Sequence, residues 1–308
     1  MTPRTLHAPR AQFALDLART AFFGVFRQAL PADEPEVLRL LAAIGWHFEA
    51  TLSPGRTAWM VEELVASFAL NPRAADAAAR EAWDLWMQTR LEDVVLSRVV
   101  RGGAPGTWVR VEGEVPERGL LLHLSAGNRR MAAWALAEAG VARGREPGWL
   151  GVYGLRGLPP VGRGSARRSW LNERESRARL ADEDTLPMRW LGDEEALRRH
   201  VEGGGLAIVA ADDRGFREMR HGVLLGRPTP LASLPWALAT THPVALLSVE
   251  RLRDKTHLAR ISAVARRRAT GGGPGAVDRE ATLGLLEDDL RRRPGHYAMT
   301  LVERRLRQ

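Results

Sequence analysis

The chain has 308 residues, 45% of them apolar, which is enough for one α/β domain with a helical extension or for two small domains. It has no cysteine, which excludes disulfides and thiolate metal sites and fits a reducing compartment. Its net charge of +8 is carried almost wholly by arginine, with Lys255 the only lysine, so a solvated face, an anionic membrane surface and nucleic acid all compete for it. No zinc spacing, ribonucleoprotein motif or aromatic-interleaved basic groove accompanies the charge, and nucleic acid is not expected as a partner.

Residues 1–10 lack the apolar core and cleavage pattern of a signal peptide. No stretch reaches the roughly 18 apolar residues that a membrane-crossing helix needs. Residues 13–30 carry Leu15, Leu17, Phe22, Phe23, Val25 and Phe26 with Arg19 and Arg27. They predict a helix that either packs on the rest of the chain or lies in a membrane interface. Apolar residues at helical spacing then predict helices over 37–48 and 57–70, separated by Ser53-Pro54-Gly55. Asn71-Pro72 stops the second, and a long third helix runs over 74–100.

Residues 101–106 form a loop and set the expected boundary: a helical region over 1–100 and an α/β domain over 101–308. Strands are predicted at 108–112, 119–123, 148–153, 206–210 and 243–249, with helices over 130–139 and 193–201 between some of them. That alternation favours a largely parallel mixed sheet flanked by helices. Residues 265–278, with Thr270-Gly-Gly-Gly-Pro-Gly275, read as a loop before the final helix.

The most informative stretch is Gly119-Leu-Leu-Leu-His-Leu-Ser-Ala-Gly-Asn128. An apolar run delivers His123 to a turn of small residues, and a helix follows. An imidazole at the end of a strand is where α/β sheets place their chemistry, and histidine titrates close enough to neutrality to serve as a general base. This segment resembles the lipid A late acyltransferases of the lysophospholipid acyltransferase superfamily, whose strand-ending His is followed five positions on by Asp or Glu. Here Asn128 stands at the acid position, and a gapped alignment puts Arg130 there. Further segments resemble the family in the same order: the helical stretches 55–68 and 79–99, the strand and turn ending in Asp213-Arg214-Gly215, Val223 to Ser233, the strand 243–249, and Arg293 to Arg305. Ala211 stands where a first acid is usual, and Tyr153-Gly154 lacks the family's Arg-Pro.

The resemblance implies a glycerolipid acyltransferase-like fold. It implies transfer of a fatty acyl group from an acyl thioester, on acyl carrier protein or coenzyme A, to a hydroxyl of a membrane lipid or lipid A-like acceptor. His123 would be the base, and Asn128 would orient its ring without supplying a negative charge. Asp213, or Asp212 beside it, would supply the missing carboxylate. Ser125 and Gly127 would offer backbone N–H groups to the oxyanion. Arg163, Arg167 and Arg227 would hold an anionic head group. No metal or bound cofactor is implied, since the thioester is a co-substrate. The expected place is peripheral, on the cytoplasmic face of the inner membrane, or else the cytoplasm. The degraded motif also allows a catalytically silent relative that binds lipid or a partner protein. His221, His242 and His257 show no metal-ligand spacing, and Trp46, Trp59, Trp83, Trp86, Trp134 and Trp236 sit at helical spacing that suits core packing.

Overall fold

The computed structural model describes residues 35–52, 54–102, 105–124, 126–141, 148–150, 188–191, 193–212, 216–252, 254, 256–264 and 277–306. The helix expected over 13–30, and Ser125, Arg163, Arg167 and Asp213, lie outside these. Two compact units divide the chain.

The first unit is helical. It contains α1 (Pro35–Leu52), α2 (Pro54–Phe68), α3 (Pro72–Gly102) and the last helix, α8 (Gly295–Leu306). The expected breakers prove to be helix starts. Pro54 and Pro72 each occupy a first helical position, where the missing N–H would have no intrahelical partner. Asn71 caps α3, its Oδ1 accepting from the Ala74 N–H at 2.9 Å. Trp83 on α3 is fully buried, and its indole N–H donates to Thr57 Oγ1 of α2 at 3.0 Å. The expected division at residue 100 needs one correction: α8 belongs to this unit and not to the α/β unit. Gly295 lets its backbone approach α3, since a Cβ there would lie 3.0 Å from the Ala78 carbonyl oxygen.

The second unit is mixed α/β. Its sheet has seven strands among the described residues: β1 (Val109–Glu112), β2 (Gly119–His123), β3 (Gly148–Leu150), β4 (Arg189–Trp190), β5 (Leu206–Ala210), β8 (Val244–Arg251) and β9 (His257–Ala263). They lie in the order β1-β9-β8-β2-β5-β3-β4, and every pairing is parallel except β8 with β9. A separate antiparallel hairpin, β6 (Met219–Leu224) and β7 (Arg227–Ala232), stands between β5 and β8 in the chain. The remaining helices are α4 (Arg129–Val141), α5 (Glu194–Glu202), α6 (Ser233–Leu238) and α7 (Arg279–Arg292).

The central position of β2 follows from its sequence. Leu120, Leu121 and Leu122 alternate between the two faces, and all three are fully buried, so both faces of the strand are covered. Leu206 to Ala210 on β5 repeats the pattern and pairs with β2 from Gly119↔Leu206 to His123↔Ala210. β8 covers the other edge of β2. A two-sided apolar run thus fixes which strand stands in the middle, and with it the position of His123.

Candidate functional site

His123 is the last residue of β2 and is 2% exposed. Its Nδ1 lies 2.9 Å from the carbonyl oxygen of Leu124. A carbonyl only accepts, so Nδ1 carries the hydrogen and Nε2 carries the lone pair when the ring is neutral. The same carbonyl accepts the Ala126 N–H at 2.7 Å. The backbone carbonyl of His123 accepts the Ala211 N–H at 2.8 Å, so the turn after β5 is tied to the end of β2.

Gly127 has φ +69, a left-handed conformation open to glycine at little cost. Asn128 is 1% exposed and caps α4, accepting the Met131 N–H on Oδ1 at 3.2 Å. Its backbone carbonyl accepts the Ala132 N–H at 3.3 Å. The chain thus passes from β2, ending at His123, to α4, starting at Arg129, within five residues.

Three of the expected site residues meet in this turn: His123, Gly127 and Asn128. The Asn128 Oδ1 lies on the helix end, and the ring Nδ1 is held by a main-chain carbonyl. The Ala126 N–H, between the two expected oxyanion donors in sequence, is engaged by the Leu124 carbonyl. Asp212 is 6% exposed and directly follows Ala211, whose N–H bonds His123. Arg227 lies elsewhere. It opens β7 at the hairpin tip, five residues before Ala232 and so about 16 Å along an extended strand from it. It is Ala232 that reaches this site, its N–H donating to the Ala211 carbonyl at 3.0 Å.

Ala232 and the hairpin it ends were not foreseen as neighbours of His123. Sequence gave no signal for the hairpin because Pro228 and Pro230 argue against a strand. Among the described residues no group of His, Asp and Glu is placed to hold a metal ion. No helix among them is long and apolar enough to cross a membrane. No protein-family model matches the chain, and no curated protein matches its sequence. The class is therefore defined by architecture and site alone: a mixed α/β unit with a buried histidine at the carboxyl end of its central parallel strand.

Proposed function

We propose that the chain is an O-acyltransferase of the glycerolipid acyltransferase-like fold, with His123 as its general base. The observation that carries this reading is the His123 ring, buried at the end of β2 and tautomerically set by Leu124 so that Nε2 is the basic nitrogen. Nε2 takes the proton of the acceptor hydroxyl as that oxygen attacks the thioester carbonyl. The C–O bond forms and the C–S bond breaks. The departing thiolate takes the proton back from Nε2, leaving ester and free thiol. The donor is acyl carrier protein or coenzyme A, and the acceptor is a membrane lipid or a lipid A-like molecule. The work is done at the cytoplasmic face of the inner membrane.

The orienting role of the usual carboxylate passes to the Leu124 carbonyl, which has no charge to offer the imidazolium. Replacing a charged partner by a neutral one in such a relay can cost roughly four orders of magnitude in rate, although part of that loss reflects a wrong tautomer. The tautomer is correct here, and the buried Asp212 carboxylate is the charge we assign to the imidazolium. A second reading, a silent relative that binds lipid or a partner protein, is favoured by the capping role of Asn128.

One assay separates the two. Acyl transfer from labelled acyl carrier protein and acyl-coenzyme A into membrane lipids is measured for the wild type, His123→Ala and Asn128→Glu. Transfer by the wild type that His123→Ala abolishes is the expected result. Transfer confined to Asn128→Glu would mean a silenced enzyme, and none by any of the three would reject acyl transfer.

A further inference from the structure

We infer that Arg279, Arg220, Trp236 and Ser233 form a binding site for a phosphate-type oxyanion near the base of the β6–β7 hairpin. Arg279 is the first residue of α7, and its guanidinium carbon stands 5.7 Å from the centroid of the Trp236 ring on α6. The same guanidinium lies over β6 at Gly222, where a Cβ would come within 3.4 Å of Nη2. Arg220 is two residues before Gly222 and so shares its face of the strand.

Three polar atoms in this cluster are buried without a hydrogen-bond partner among the described residues: Arg279 Nη2, Trp236 Nε1 and Ser233 Oγ. Trp236 is only 8% exposed. A buried donor without an acceptor costs about 1–3 kcal/mol, so three on neighbouring residues call for an acceptor shared among them. No nearby acid accepts from any of these three atoms. Glu218 pairs with Arg220 at 3.5 Å, and Asp278 Oδ1 accepts the Ala281 N–H at 3.1 Å at the start of α7. Burial, and then the charge of Arg220, hold the Arg279 guanidinium below its ordinary range, with Glu280 opposing. An added anion would relieve both effects.

The chemistry follows from the donor set. Guanidinium and indole N–H groups only donate, and the hydroxyl can, so the ligand must accept on several sides. Two guanidinium groups favour a doubly charged phosphate over a single carboxylate. A lipid headgroup and free phosphate offer that same group. The cluster adjoins the His123 site through the backbone, because Ser233 follows the Ala232 that bonds Ala211. Its existence does not depend on acyl transfer.

The test uses the full chain. Inorganic phosphate is titrated by calorimetry, and phosphatidylcholine vesicles with and without phosphatidic acid are tested by co-sedimentation. The proteins compared are the wild type, Arg279→Gln, Trp236→Phe and, as a charge-matched control, Arg292→Gln. Expected is binding that falls about tenfold in Arg279→Gln, falls less in Trp236→Phe and is unchanged in Arg292→Gln. Binding of free phosphate assigns a soluble ligand, whereas binding of phosphatidic acid vesicles alone assigns a headgroup. Should Arg279→Gln fail to fold, Trp236→Phe must by itself weaken binding. No binding of either probe by the wild type, or equal binding by the wild type and the cluster variants, overturns the site.

Discussion

Gly127 packs against Val249 so closely that a Cβ on the glycine would lie 2.5 Å from the Val249 carbonyl oxygen and 3.0 Å from its Cβ. The turn after β2 is thus pressed on the neighbouring strand β8, and its shape is fixed from outside as well as from within. Two penalties meet at this position, the left-handed backbone and the contact with main chain that cannot swing away. Gly127→Ala is expected to destabilise the α/β unit by about 1–3 kcal/mol, read as a fall in the urea midpoint. A midpoint equal to the wild type would show that the turn is free to move.

Asn128 should behave as a helix cap. Asn128→Ala removes the acceptor for the Met131 N–H and is expected to cost about 1 kcal/mol, whereas Asn128→Asp should retain most of the stability. Thermal unfolding of the two variants separates this role from a purely catalytic one, in which stability would not change. Asn128→Glu in the transfer assay has to be compared at matched folded fraction for the same reason.

The hairpin tip is held by a carboxylate. Leu225 (φ +55) and Gly226 (φ +70) form a two-residue turn of the primed kind, and the Leu225 N–H donates to Glu287 Oε2 at 2.7 Å. Leucine is an unfavourable residue for that conformation, so the bond from α7 helps to keep it there. Glu287→Ala is expected to speed hydrogen exchange at the Leu225 amide and to lower stability by about 1–2 kcal/mol. Unchanged exchange at that amide would mean that the turn holds itself.

In the helical unit, Thr57→Val leaves the buried Trp83 indole N–H without its acceptor while keeping the side-chain volume. The expected loss is about 1–2 kcal/mol on chemical denaturation. Thr57→Ser, which keeps the hydroxyl, should lose less. Equal losses in both variants would point to packing and not to the hydrogen bond.

The parts that sequence made plain are those whose pattern is local. Leu120 to Leu122 and Leu206 to Ala210 are apolar on both faces and bounded by glycine, and they are the two strands at the middle of the sheet. β9 escaped although Ala259-Arg260-Ile261-Ser262-Ala263 alternates apolar and polar residues, and its place is set by pairing with β8 and β1. The hairpin escaped because of Pro228 and Pro230. Its register explains how they are tolerated: Leu224↔Arg227 flanks the turn as a hydrogen-bonded pair, so Val223↔Pro228 and His221↔Pro230 fall on non-bonded pairs. A missing N–H costs nothing there. The same limit applied at the site. That Asn128 caps a helix was not read from the sequence, and the engagement of His123 by its neighbour's carbonyl depends on a turn geometry that no motif encodes.

Base catalysis by His123 requires that Nε2 be the basic nitrogen, and nitrogen NMR of the imidazoles measures this directly. The chain has eight histidines, and the His123 signals are assigned by their loss in His123→Gln. With the ring neutral, the expected result is a protonated Nδ1 and an unprotonated Nε2. A hydrogen on Nε2 would contradict it, because the nitrogen that must accept the acceptor's proton would already hold one.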